Sequence, residues 1–396
     1  MGAYCQQFQG RMNGDAMQPP WLEPRAAYIH IPFCAHHCGY CDFAIAVKQE
    51  HLIELYLDAL AAELATLGEP RPVKTVFLGG GTPTLLNAGQ LERLLISVNQ
   101  WLPFATKGEF SIEANPDTLD ADKVAVLAEH GVNRVSLGAQ SFHPHLLAAL
   151  ERQHSPSEAP RAVACVKKRI ERVSLDLIFG VPGQTLSEWQ DDLRQALALQ
   201  PDHISTYGLT YEKGTPLWKN WKCGVVQPVD EEAERAMYAS AMDTLEAAGF
   251  EHYEISNFAL PDHRCRHNEV YWANHAYFGF GMGAARYVNG RREMNTRDLQ
   301  GYIRKTLSSE SPIFQTEELP PEERARETMA QNLRRAAGID RPVFHDQTGF
   351  DFDALVGAAM ARHAELGLLE DNGKSVRLTR EGKYVADAVI EGLWSV

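Results

Sequence analysis

The stretch HIPFCAHHCGYCDFAIA, from His30 to Ala46, places Cys34, Cys38 and Cys41 on one short loop with C-x3-C-x2-C spacing. Thiolates are the usual ligands of iron–sulfur clusters, and three of them can hold three corners of a cubane [4Fe-4S] core. The remaining iron is then open to a small chelating molecule. Zinc is the competing occupant, with His36, His37 or a distant residue as its fourth ligand. Zinc ribbons usually carry two C-x2-C pairs, whereas this loop has a single triplet, so the spacing favours the cluster.

The other four of the seven cysteines, Cys5, Cys165, Cys223 and Cys265, are scattered. An odd count with no apolar leader points to a reducing, cytoplasmic setting rather than a disulfide framework. The formal net charge of −14 argues against a nucleic-acid partner, whose binding surface is normally basic. No apolar run reaches the roughly 18 residues of a membrane span.

A rhythm of strands and helices must position the cysteine loop. AAYIHI reads as a strand, and Ile53, Leu57, Leu60, Leu64 and Leu67 then recur at helical spacing up to Gly68. VKTVFLG, GEFSIEANP, NRVSLGAQS, RVSLDLIFG and DHISTYGL continue the strands. Between them lie helices marked by Leu91, Leu94, Leu95 and Val98, by DADKVAVLAEHG with Asp120 as cap, and by LSEWQDDLRQALAL. Such repeated alternation predicts an α/β fold, a partial (β/α)6 TIM-like barrel, with a doubly wound open sheet as the alternative. In a barrel the chemistry gathers at the C-terminal strand ends, where the cysteines, GGGTP, EANP, Gln140 and DLIFG fall.

The expected organisation is a lead-in over 1–25, a barrel over 26–260, an aromatic-rich connection over 261–311 and a helical, winged-helix-like domain over 312–396. YEKGTPLWKNWKCGVVQP reads as irregular, and two short strands near the end flank an Asn-Gly turn.

Taken in order, YIHIPFC, FLGGGTPTLL, EANPDTL, GVNRVSLGAQSF, LDLIFGVPGQT and HNEVYW resemble the radical S-adenosylmethionine superfamily. Within it they resemble the branch that holds oxygen-independent coproporphyrinogen III oxidase and its haem-chaperone relatives, over about residues 26–390. The resemblance implies S-adenosylmethionine at the open iron of a cluster on Cys34, Cys38 and Cys41. It also implies cofactor contacts from Tyr28, Tyr40, Gly80, Gly81, Thr82, Glu113, Gln140, Arg152 and Asp176. Read from the residues alone, Gly79–Gly81 is a turn that allows close backbone approach. Glu113 is either a ligand acceptor or half of an ion pair with Arg134 or Arg152.

Two features divide the branch. The oxidase has a fourth cysteine two residues after the third, and here that position is Phe43, as in the chaperone type. HNEVYW, His267 to Trp272, fits the H-N-x-x-Y-W pattern associated with haem in that type, making His267 a candidate axial ligand, with Cys265 as a softer one. One departure stands out: relatives often have histidine where this chain has Ala285, before Arg286. The resemblance therefore implies haem binding and its transfer to respiratory membrane acceptors, with an electron donor of the flavodoxin or ferredoxin type. This reading is favoured over oxidative decarboxylation of coproporphyrinogen III.

Overall fold

The computed structural model describes residues 18–394, so most of the lead-in lies outside the described residues. Ala26–Ile31 (β1), Val73–Gly80 (β2), Phe104–Ala114 (β3), Arg134–Gln140 (β4), Arg172–Phe179 (β5) and His203–Gly208 (β6) form a parallel run. Glu251–His252 (β7) and Asn257–Ala259 (β8) add an antiparallel edge, and Phe278–Phe280 (β9), from the aromatic-rich connection, pairs parallel with β1. The nine-stranded order is β9-β1-β2-β3-β4-β5-β6-β8-β7. From β1 to β6 the strands follow chain order without reversal. A doubly wound sheet reverses its order at a switch point, so the open-sheet alternative gives way to the largely parallel partial barrel. All six parallel strands therefore direct their C-terminal ends to one rim.

Helices Ile53–Ala65 (α1), Ala88–Trp101 (α2), Ala121–Glu129 (α3), Glu158–Val166 (α4) and Leu186–Ala198 (α5) connect successive strands. Each buries one apolar stripe: in α2 this is Leu91, Leu94, Leu95 and Val98. Their starts are written in the sequence. Asn87 with Gln90 and Thr185 with Glu188 form capping boxes, and Asp120 accepts from Lys123 N–H at 2.8 Å. Such caps contribute roughly 1 kcal/mol each. Glu231–Ala247 (α6) packs on α5, whose buried Trp189 donates from its indole to Met237 O at 2.8 Å.

Inside the barrel the strands carry polar side chains at alternate positions. Glu109, Ser111 and Glu113 follow one another along β3, and Ser136, Ser174, Asp176, His203 and Ser205 continue across β4 to β6. Burial makes these groups costly unless paired, and most are. Ser136 Oγ donates to Asp176 at 3.0 Å, and His203 joins Ser174 at 2.7 Å and Tyr253 at 2.8 Å. The barrel floor is closed by Arg266–Trp272 (α7), whose first amides, Arg266 N–H and His267 N–H, each donate to Glu109 at 3.1 Å.

One segment differs from the sequence reading. Pro216–Lys222, expected to be irregular, is a short helix capped by Thr215 with Pro216 at its first turn. The C-terminal region has its own core around Met329, Phe344, Phe352, Val356 and Val389. In it Leu369–Asp371 and Ser375–Leu378 pair antiparallel across Asn372-Gly373, with Ile339–Asp340 as a third strand. Among the described residues no helix is long and apolar enough to cross a membrane.

Candidate functional site

The cysteine loop leaves the end of β1 and is tied down from several directions. Phe33–Cys34 pairs with Ala46–Val47. Gly81 N–H donates to Ile31 O and Thr82 N–H to Phe33 O, both at 2.8 Å, so the loop rests on the turn after β2. Leu217 N–H, from the helix that the sequence reading took as irregular, donates to Gly39 O at 2.8 Å. Arg297 donates to Asp42 O, and His30 Nε2–H donates to Ala44 O at 2.7 Å.

Three free thiols are held on this loop. Cys34 Sγ lies 3.6 Å from Thr82 Oγ1, and Cys38 Sγ accepts from Arg152 Nη1 at 3.6 Å. Burial, with neighbouring thiols adding to it, pushes Cys34 and Cys41 up to about 11. The histidines considered as zinc ligands are turned elsewhere. His36 lies 4.0 Å from Glu151, and His37 bonds to Cys41 O at 2.9 Å. Among the described residues no three side chains of the ligating kinds converge on the space of one ion. Thiols alone, with both nearby histidines engaged elsewhere, are the donor set of a sulfide-bridged cluster rather than of a four-ligand zinc site.

The glycine turn is dictated by its neighbours. A Cβ on Gly79 would lie 2.8 Å from Glu113 Oε2, one on Gly80 would collide with the His30 ring, and one on Gly81 would lie 2.7 Å from Phe33 O. Glu113 accepts Gly80 N–H at 2.9 Å. Neither Arg134 nor Arg152 forms an ion pair with it, so the ion-pair alternative for Glu113 is not what the fold builds. Burial, then the nearby Asp176, raises Glu113 to about 7.

Arg152 reaches under the loop. Its Nη2 donates to Asn115 Oδ1 at 2.8 Å and to Gly138 O at 3.0 Å, while its buried Nε has no partner. Gln140 ends β4 in the left-handed region at φ 62°, a conformation non-glycine residues adopt where surroundings demand it. Asp176 is raised by burial and bonded to Ser136. Tyr40 packs beside Leu146, Leu150 and Ile178, and Tyr28 gives its hydroxyl proton to His30 Nδ1 at 3.0 Å. The fold thus gathers Tyr28, Tyr40, Gly80, Gly81, Thr82, Glu113, Gln140, Arg152 and Asp176 around the cysteine loop and the mouth of the lumen. Two acids and one arginine in such a space suit a ligand carrying an ammonium, hydroxyls and a carboxylate. Ser111 Oγ, buried without a partner one alternation below Glu113, is a further polar atom facing no protein group.

Sequence reasoning missed His30 and Asn115. His30 stands inside the same HIPFC motif, and burial lowers it to about 4, so its ring is neutral. Nε2–H then serves Ala44, and Nδ1 accepts from Tyr28.

His267 is not at the mouth. It sits on the barrel floor, 1% exposed, with Nδ1 bonded to Thr75 Oγ1 and Nε2 to Tyr271 OH, both at 2.9 Å. Burial lowers it to about 3. No nitrogen is left to meet an iron, so the haem-ligand expectation does not fit this geometry. Cys265, the softer candidate, is also buried and donates to Glu109 at 3.6 Å. At the departure from relatives, Arg286 pairs across a two-strand ladder with Glu293, Nε to Oε2 at 2.6 Å.

Comparison with known proteins follows the same lines. The profile described as the radical SAM superfamily matches residues 28–196, and that of the HemN C-terminal domain matches 319–385. Coproporphyrinogen III oxidase (HemN) from Escherichia coli, a solved structure, superposes with a TM-score of 0.82 over 94% of this chain and 90% of its own, at 22% identity. At that identity the match speaks for the fold, which is a radical SAM fold. The protein named heme chaperone HemW of Bacillus subtilis (strain 168) is 38% identical over 371 residues, 92% of this chain and 98% of its own. Its namesake in Escherichia coli (strain K12) is 34% identical over 386 residues, 93% and 98% of the two chains. The chain belongs to the HemW family of the radical SAM superfamily.

Proposed function

We propose that this protein is a haem chaperone that carries a [4Fe-4S] cluster on Cys34, Cys38 and Cys41 and binds S-adenosylmethionine beside it. The observation that carries the reading is one loop of three free cysteines, with Cys34 against Thr82, Cys38 against Arg152 and the loop backbone hydrogen-bonded to the Gly81–Thr82 turn. It occurs in a chain matched along 92% of its length by a protein named heme chaperone HemW. When bound, such a cluster supplies a low-potential electron and an open iron for the amino and carboxylate groups of S-adenosylmethionine.

The chain's own residues account for the rest of the proposed site. Glu113, once its proton is displaced, accepts from an N–H of the ligand's amino group. Arg152 offers its guanidinium to a carboxylate while bracing Asn115 and Gly138. Asp176 and Gln140 take hydroxyl or ring nitrogen partners, and Tyr40 shields the loop from water. Haem is received and passed to respiratory membrane acceptors, with an electron donor of the flavodoxin or ferredoxin type serving the cluster. Phe43, 62% exposed, occupies the position of the oxidase's fourth cysteine, which favours carriage over decarboxylation.

The test is anaerobic reconstitution followed by iron and sulfide analysis, haem titration and a coproporphyrinogen III turnover assay on one sample. About four irons and four sulfides per chain, saturable haem uptake and no protoporphyrinogen support the reading. Zinc in place of iron, or turnover of coproporphyrinogen, overturns it.

A further inference from the structure

The HNEVYW motif points at haem by its pattern, yet its histidine faces inward. The ring of His267 stacks on Phe77, with centroids 5.2 Å apart and planes at 27°. Phe77 in turn stacks on Tyr28, with centroids 6.3 Å apart and planes at 26°. The Tyr28 hydroxyl bonds to His30, and His30 holds Ala44, on the returning arm of the cysteine loop. Four rings therefore form one column from the barrel floor to the loop. Its lower end is fixed on three sides: by Thr75, by Tyr271 (itself edge-on to Tyr277 at 4.7 Å) and by Glu109, which accepts the His267 amide. Its upper end is fixed by Gly80, which has no side chain and so leaves the His30 ring its place.

We infer that His267 is a positioning residue, not a haem ligand: it supports the Phe77–Tyr28–His30 column and, through it, the shape of the cysteine loop. The physical basis is packing. A close-packed interior transmits displacement rather than absorbing it, and residues that orient a ligand-bearing segment change metal affinity without touching the metal. An iron at His267 would require the ring to give up a hydrogen bond and turn away from Phe77, which would free Tyr28 and His30 above it. A haem iron therefore takes its axial ligand from a residue other than His267. The inference rests on the proposed haem-chaperone function, and its test separates the two.

The experiment uses the full chain, reconstituted anaerobically, with hemin as the probe. His267→Phe keeps a flat ring against Phe77 and removes every metal-binding nitrogen. His267→Ala removes the ring. Phe77→Leu breaks the column one step higher, at a residue that cannot ligate iron. Haem affinity is read by absorption titration, and the reduced cluster by its EPR signal with and without S-adenosylmethionine.

His267→Phe is expected to bind hemin as the parent does and to retain the parent's EPR change. His267→Ala and Phe77→Leu are expected to share a shifted signal and S-adenosylmethionine binding weaker by about tenfold. Loss of hemin binding in His267→Phe with its cluster intact overturns the inference, as does a Phe77→Leu protein with unaltered EPR. Should His267→Ala fail to fold, the Phe77→Leu comparison decides alone. A parent that loads no cluster or no haem overturns the functional reading instead.

Discussion

The ring of His30 fills the space in which a side chain at Gly80 would have to lie, and the backbone of Gly80 stands at φ 112°. The glycine of the GGGTP motif is therefore fixed by a histidine from the HIPFC motif. Gly80→Ala should displace the ring, strain the backbone and release Ala44. A loss of about 2–4 kcal/mol in unfolding free energy is expected from such a combined change. Urea denaturation of the metal-free chain measures it, and reconstituted iron content should fall in parallel.

Glu113 makes a pH prediction with a definite sign. Its carboxyl stands at about 7 in the fold against an ordinary 4.5. Between those values the folded chain holds a proton that the unfolded chain has released. The contribution of Glu113 to stability is thus greatest at low pH, falls as pH rises through this window and is constant above it. Glu113→Gln should remove that slope, worth up to about 3 kcal/mol across the window. Asp176 and other buried acids titrate in the same direction, so the difference between the two proteins is what isolates Glu113. A ligand carrying an ammonium should bind more tightly as pH approaches 7 and then level off, which calorimetry in buffers of different ionisation enthalpy would show as proton release.

Cys34 and Cys41 are pushed up to about 11 by burial, so these two thiols of the metal-free loop are protonated at neutral pH. Ligation needs thiolates. Iron loading should release protons, and its affinity should rise by roughly tenfold per pH unit for each proton displaced. Competition with a chelator between pH 7 and 9 tests this. A flat profile would mean the thiols are already ionised.

Arg152→Lys should act as a disruptive change despite keeping the charge. A lysine cannot reach Asn115, Gly138 and Cys38 from one planar group as the guanidinium does. A loss of roughly 1–3 kcal/mol in stability is expected from the carbonyl and amide left unpaired. S-adenosylmethionine affinity should fall by tenfold or more, measured by equilibrium dialysis, while iron content is retained.

Periodicity makes much of this molecule legible in its sequence. The strands of the parallel run, the apolar stripe of α2 and the Asp120 cap all follow from alternation and capping chemistry, because burial of a face leaves a direct trace in residue type. The cysteine loop is legible too, because three thiols within eight residues are written directly in residue identity. Three things leave no such trace. Pro216–Lys222 has its cap and proline in the sequence, but its tryptophans and lysines show no apolar period. His30 looks like part of a strand, since a buried neutral ring is indistinguishable in sequence from a surface one. His267 carries a pattern suited to haem, and only the direction of its side chain, set by Thr75, Tyr271 and Phe77, reveals that both nitrogens are engaged.

The cysteine loop is braced by Leu217 and by Arg297, which bonds to Asp42 across a separation of 255 residues. The Leu217 brace needs more than half of the polypeptide, and the Arg297 brace exists only after the ribosome has made three-quarters of it. A nascent chain that has just emitted its cysteines lacks both of these braces. Under the proposed function, a chain truncated before Arg297 is expected to retain less iron on reconstitution than the full-length one, which iron analysis of the two would show.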